Sequence, residues 1–184
     1  KYNSMLKRAN ERFNASNKNQ TICHSDMDPK NVMWNNDNPI IIDWECARVA
    51  NPERELLEDA LCWSGFLSNN FSEEKFIAIF KEYFKYRKIE DVDWYDVICG
   101  NLAGRFSWLN YNLERSLGIV SNDKEEMKLA ENEVVKTIDE INRYLDLIGE
   151  IYDIFTKLTI KETENSDSIM QQIVDSNEIL KGKQ

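Results

Sequence analysis

The chain has 184 residues, and its 23 Lys and Arg against 33 Asp and Glu give a formal net charge of -10. A chain of this length buries an ordinary core, and 42% hydrophobic residues with only 6 Gly and 3 Pro are typical of a globular protein. The negative charge repels phosphate backbones and anionic membrane surfaces, so we expect no nucleic acid and no membrane among the partners.

The first third of the chain combines one amphipathic segment with three short extended ones. Residues 2–13 carry apolar side chains at helical spacing and predict a helix, which a polar loop follows. Extended segments are predicted at residues 21–24, 32–35 and 39–43. A turn at residues 36–39 would join the last two segments into a hairpin.

From Pro52 to the end of the chain the pattern is helical. Pro52 suits the first turn of a helix, and Ser72 and Asp93 are the predicted N-caps of the next two helices. A stop is predicted near Gly118, after which Ser121 opens a long helix.

The long helix carries apolar residues at alternating steps of four and three. These residues are Val134, Ile138, Ile141, Leu145, Ile148, Tyr152 and Phe155. Such a heptad rhythm is typical of a coiled coil, but a core helix packed on its neighbours needs the same stripe, so both interpretations stay open. A last helix is predicted around residues 169–180.

Cysteine and histidine usage narrows the chemistry. The 4 cysteines have no C-x-x-C spacing, which argues against a zinc site or a redox pair and predicts buried, unpaired thiols. His24 is the only histidine, so function has to come from carboxylates and amides. No stretch approaches the roughly 20 apolar residues of a membrane span, and no signal-peptide pattern opens the chain, so we expect a cytoplasmic protein.

The most informative segment reads H-x-D-x-x-x-x-N and is followed by an apolar strand that ends in an aspartate. Phosphoryl transfer from a nucleotide needs Mg2+ at the phosphates and a carboxylate near the attacking hydroxyl. Asp26 can be that carboxylate, while Asn31 and Asp43 can hold the metal because the hairpin between them returns Asp43 beside Asn31. The alternative is turn chemistry, since Asp and Asn commonly bend and cap loops.

This pattern resembles the aminoglycoside phosphotransferase and choline kinase-like family, which shares the protein-kinase-like fold. The resemblance implies that Asp26 positions or deprotonates the acceptor hydroxyl, that Asn31 and Asp43 bind Mg2+, and that His24 is structural. It also implies ATP or GTP as the co-substrate and a small acceptor such as an aminoglycoside or choline.

Two differences from protein kinases favour the small-molecule branch. Asp28 stands where a protein-kinase loop usually carries Lys, and residues 43–45 read D-W-E where protein kinases read D-F-G. No A-P-E follows, and little room remains for an activation loop before Pro52. The substrate is therefore expected to be a small molecule rather than a protein.

Nothing upstream of His24 resembles the glycine-rich loop, strand Lys or helix Glu that hold a nucleotide. We therefore expect residues 1–184 to form a single domain equivalent to the C-terminal lobe of the fold, with the N-terminal nucleotide lobe absent. That lobe would be a mostly helical α+β structure with short β-hairpins around the catalytic loop. The chain alone is expected to be impaired as an enzyme, and its uncovered apolar surface favours self-association.

Four further residues are candidates to face the substrate. Asp28 and Glu45 either contact the metal or a cationic acceptor, or are solvated carboxylates. Trp108 and Asn112 share a helix face with Arg105. This face would either line an acceptor pocket or belong to the core. The alternative function is a non-catalytic binding or regulatory module that forms a homo-oligomer through its long helix.

Overall fold

The structure, a computed structural model, describes residues 6–8, 11, 20–87 and 92–181, with side chains up to residue 158. The chain divides into two compact units, Lys1–Asp146 and Leu147–Gln184. Residues 6–8 and 11 are helical, and the rest of the predicted helix over residues 2–13 lies outside the described residues. No helix in the described part is both long and apolar enough to span a bilayer.

Four short strands form two antiparallel ribbons. Strand β1 (Thr21–Cys23) pairs with β4 (Arg48–Ala50), and β2 (Val32–Asn35) pairs with β3 (Asn38–Ile41). The hairpin turn uses Asn36 at φ 54°, a left-handed conformation that asparagine tolerates. The three predicted strands are confirmed, whereas β4 was not predicted, because it is defined by its long-range pairing with β1.

Four helices follow the strands in the described part of the chain. They are α1 (Pro52–Trp63), α2 (Glu73–Phe84), α3 (Trp94–Ser116) and α4 (Lys124–Lys181). The fold is therefore mostly helical α+β, as predicted.

The helix boundaries follow local hydrogen-bonding chemistry. Ser72 Oγ accepts from the backbone N–H of Lys75 at 3.4 Å, and Asp93 Oδ1 accepts from the N–H of Asp96 at 3.1 Å. Both predicted N-caps are confirmed, and Pro52 occupies the first turn of α1.

The start of the long helix was predicted wrongly. Helix α4 begins at Lys124, because Asp123 Oδ1 accepts from the N–H of Glu125 at 2.8 Å and acts as the cap. Ser121 instead accepts from the N–H of Asp123 at 3.2 Å, in the turn before the helix. The predicted separate helix at residues 169–180 is continuous with α4.

The core of the first unit lies around α1, which packs against α2, α3 and β1. Its fully buried side chains include Leu57 and Leu61 of α1, Phe76 and Phe80 of α2, Ile98 and Leu102 of α3, and Tyr144 of α4. In this unit α4 buries Ala130, Thr137, Ile141 and Tyr144, whereas Ile138 is 46% exposed. Residues 130–144 thus favour the packed-core interpretation of the apolar pattern.

Gly65 ends α1 and directs the next residue into the core. Its φ of 89° lies in the left-handed region, and a Cβ there would collide with the backbone of Asn70. The N–H of Phe66 donates to Leu61 O at 3.0 Å, which closes a Schellman motif. Phe66 is therefore buried, with the guanidinium of Arg105 4.9 Å from its ring centroid.

Candidate active site

His24 joins the loop that follows β1 to the end of the hairpin. We call residues 24–31 the Asp26 loop and residues 42–46 the Asp43 loop. His24 is buried, and its Nε2 lies 2.9 Å from Ile42 O. A carbonyl oxygen only accepts, so Nε2 carries the hydrogen and donates it. The imidazole ring also packs edge-on against Trp44, with 4.7 Å between the ring centroids. His24 therefore connects the two loops structurally.

Asn31 fixes the carboxylate of Asp26. Its Nδ2 donates to both Asp26 O and Asp26 Oδ2, at 2.8 Å each. The Asn31 side chain is buried, so these two bonds hold its amide in one orientation. The amide Oδ1 makes no described hydrogen bond and could coordinate a cation.

The hairpin brings Asp43 back to Asn31, as the sequence spacing predicts. The N–H of Ile42 donates to Asn31 O at 3.0 Å, and Asp43 is the next residue. Asn31 precedes β2 and Asp43 follows β3, so the two residues lie side by side at the end of the hairpin opposite its turn.

The carboxylate of Asp43 has no structural task in its own turn. Asp43 precedes the short 3-10 helix Trp44–Cys46 but makes no side-chain capping hydrogen bond there. Its backbone is left-handed, with φ 62° and ψ 59°, a conformation that Asp and Asn adopt more readily than most other residues. Turn capping thus does not account for an aspartate at this position.

The donor set of Asn31 and Asp43 fits Mg2+. Among the described residues there is no cluster of three or more His, Cys, Asp or Glu suited to a metal ion. Mg2+ prefers oxygen ligands and is commonly held by one or two carboxylates together with waters and substrate phosphates. One carboxylate and one amide oxygen on adjacent loops could supply the protein ligands of such a site.

Helix α1 supports the Asp26 loop through Glu55, whose role the sequence did not reveal. Glu55 Oε1 accepts from the N–H of Ser25 at 2.5 Å, and Ser25 has a left-handed φ of 65°. Trp63 Nε1 donates to Met27 O at 2.7 Å. These two bonds hold the loop on both sides of Asp26. In the sequence, the only hint of the role of Glu55 is its position shortly after Asn51-Pro52.

We expect Glu55→Ala to lower the free energy of unfolding by about 1–3 kcal/mol, because it leaves the inward-facing N–H of Ser25 without its acceptor. Urea unfolding of the full chain measures this change. Glu55→Gln, which keeps an acceptor oxygen, is the matched control and should retain most of the stability. Equal stability of Glu55→Ala and the wild type would contradict this role.

Burial dominates the electrostatics beneath the Asp26 loop. It raises the pKa of Asp59 on α1 to about 8, and the neighbouring carboxylates of Glu55 and Glu58 add to the rise. Burial also raises the pKa of the Cys23 and Cys62 thiols to about 12. All four cysteines are unpaired as predicted, but Cys46 is exposed and Cys62 is only half-buried.

We expect the protonation of Asp59 to make stability depend on pH. The unfolded carboxyl titrates near pH 4, so between about pH 4 and 8 the folded chain holds a proton that the unfolded chain has released. Stability then falls as pH rises, by up to about 1.4 kcal/mol per pH unit, and levels off above about pH 8. Urea midpoints at several pH values should show a shallower slope for Asp59→Asn; parallel slopes would contradict the assignment.

The remaining carboxylate candidates lie on the two loops. Asp28 is half-buried, and its Oδ2 lies 3.8 Å from Lys30 Nζ. Glu45 is exposed in the Asp43 loop.

The candidate face on α3 points largely into the core. Asn112 is fully buried; its Nδ2 donates to Trp108 O and its Oδ1 accepts from Arg115, both at 3.0 Å. Arg105 is also buried and donates to Glu58 at 2.8 Å. Trp108 is 48% exposed, and no described hydrogen bond, ion pair or ring contact joins it to the Asp26 loop.

A comparison with protein-family models matches residues 3–97 to the phosphotransferase enzyme family. The match covers 95 of the 184 residues, which is more than half of the chain, and it includes both loops and the start of α3. No curated protein and no solved structure matches the chain. The chain therefore belongs to the phosphotransferase enzyme family, that of the aminoglycoside phosphotransferase and choline kinase-like enzymes.

Proposed function

We propose that the chain carries the catalytic and metal-binding loops of a small-molecule kinase. The reaction would transfer the γ-phosphoryl group of ATP or GTP to a hydroxyl of a small acceptor. The observation that supports this most is the pair of 2.8 Å hydrogen bonds joining Asn31 to Asp26, in a loop whose end pairs with the residue before Asp43.

The hydrogen-bond pattern suggests which oxygen of Asp26 acts. Oδ2 accepts from Asn31, so Oδ1 is the oxygen that would accept the proton of the acceptor hydroxyl. Mg2+ on Asn31 Oδ1 and the Asp43 carboxylate would supply positive charge at the nucleotide phosphates. The protein itself contributes positioning, because Glu55 holds the Asp26 loop on α1 and His24 joins that loop to the Asp43 loop.

The charge of the site favours a cationic acceptor. Asp26 and Asp28 lie on one loop and Asp43 and Glu45 on the other, in a chain with a net charge of -10. A hydroxyl compound with ammonium groups, such as an aminoglycoside or choline, complements this field.

We further propose that the chain corresponds to the C-terminal lobe and works with a nucleotide-covering lobe. The hairpin beside the site presents large apolar side chains to solvent, with Met33 58% and Trp34 60% exposed. Trp44 of the Asp43 loop is 52% exposed. A lobe that covers the nucleotide would also cover this surface, and turnover by the chain alone would be slow.

The proposal is tested by ADP formation from ATP in a protein that joins this chain to a nucleotide lobe of its family. We expect ADP release that depends on Mg2+ and is stimulated by an aminoglycoside or by choline more than by an uncharged sugar. MgATP binding without ADP formation for any of these acceptors would instead favour a non-catalytic binding module.

A further inference from the structure

We propose that Lys30 is a further catalytic residue, which contacts the γ-phosphate during transfer. This inference rests on the proposed function. Lys30 is the single cation among residues 24–31, and it lies in the turn between Asp26 and Asn31. Its Nζ is 3.6 Å from Asp26 Oδ2 and 3.8 Å from Asp28 Oδ2.

The ammonium group lies between the two carboxylates without a close hydrogen bond to either. A charge-assisted N–H···O bond is normally about 2.7–2.9 Å long, so both separations are too great. The Lys30 side chain is 63% exposed, and such exposed ion pairs add little to stability. Stabilisation of the loop therefore does not explain why a lysine occupies this position. The three N–H groups of Lys30 remain available to a ligand.

The reaction places a phosphate within reach of this group. An acceptor hydroxyl bonded to Asp26 lies about 2.6–3.2 Å from the carboxylate, and the phosphorus it attacks is about 3–3.5 Å further on. The transferred group therefore lies within about 7 Å of the Asp26 carboxylate. Lys30 already holds its charge 3.6 Å from that carboxylate on a flexible four-carbon stem.

The turn that carries Lys30 holds its backbone beside Asn31. Lys30 belongs to the 3-10 helix Pro29–Asn31, in which Pro29 limits the backbone and the N–H of Asn31 donates to Asp28 O at 2.8 Å. In this turn Lys30 is adjacent to Asn31, the candidate metal ligand. Charge on the phosphate would thus be neutralised by the Lys30 ammonium group together with the Mg2+ that Asn31 would hold, which offsets the four carboxylates of the two loops.

The test compares binding of MgATP and MgADP to the full chain, because only ATP carries the γ-phosphate. The variants are Lys30→Gln, the charge-preserving Lys30→Arg, and Lys81→Gln on α2 as a control for net charge. Dissociation constants in the millimolar range are accessible by nuclear magnetic resonance titration. We expect Lys30→Gln to weaken MgATP binding about tenfold and MgADP binding less than about twofold. Lys30→Arg and Lys81→Gln should leave both constants within about threefold.

Equal effects of Lys30→Gln on both nucleotides, or no effect on either, would overturn the assignment of Lys30 while leaving the nucleotide site intact. Failure of the wild-type chain to bind either nucleotide would also overturn the assignment of Lys30, whereas the proposed function is decided separately by ADP formation in the protein joined to a nucleotide lobe.

Discussion

Replacing Asp26 with Asn is expected to reduce phosphoryl transfer by about a thousandfold, within the range of about 100- to 10,000-fold that a general base contributes. Asn has nearly the same shape, and its Oδ1 can still accept from Asn31 Nδ2, so the loop keeps its hydrogen bond. MgATP affinity should stay within about threefold, because the metal candidates Asn31 and Asp43 are untouched. Turnover is measured in a protein that includes a nucleotide lobe.

Asp28→Asn is the matched control for Asp26→Asn, since it removes one negative charge from the same loop. Its effect on turnover should be much smaller, because Asp28 is not hydrogen-bonded to Asn31 through its side chain. Equal losses of turnover and nucleotide affinity in Asp26→Asn would remove Asp26 from the role of base.

Replacing Asp43 with Asn is expected to weaken MgATP binding by at least about tenfold and to raise the Mg2+ concentration needed for turnover. Asn accepts the left-handed backbone at this position, so the fold should tolerate the change. The loss comes from the carboxylate, which makes no capping hydrogen bond in its own turn. A titration of turnover against Mg2+ at fixed ATP measures the effect.

Asp37→Asn, an exposed change in the turn of the same hairpin, is the control for Asp43→Asn and should behave as the wild type. An unchanged Mg2+ dependence in Asp43→Asn would refute the assignment of Asp43 as a metal ligand.

Spacing along the sequence was enough to predict the central geometry of the site. A loop of five residues and a hairpin of twelve brought Asp26, Asn31 and Asp43 to the same end of β2 and β3, because a tight hairpin must return its chain. N-caps at Ser72 and Asp93 were equally predictable, since capping depends on residues three positions apart.

Long-range contacts could not be predicted in the same way. Glu55 contacts Ser25 across 30 residues of chain, and no local pattern shows that an acidic residue on α1 accepts from a loop N–H. The pairing of β1 with β4 is hidden for the same reason. Asn112 shares the helical spacing of a pocket residue, but it is fully buried and its amide bonds within α3, to Trp108 O and Arg115, which the spacing alone does not show.

We propose that the two loops already form a metal-nucleotide site. The decisive experiment is the thermal unfolding midpoint of the full chain with and without Mg2+ and ATP. If the site binds at about 1 mM and ligand is supplied at about 10 mM, linkage predicts about 1.4 kcal/mol, or a rise of roughly 3 to 6 °C. We expect this rise in the wild type and not in Asp43→Asn. No rise in the wild type, or the same rise in Asp43→Asn, would contradict the claim.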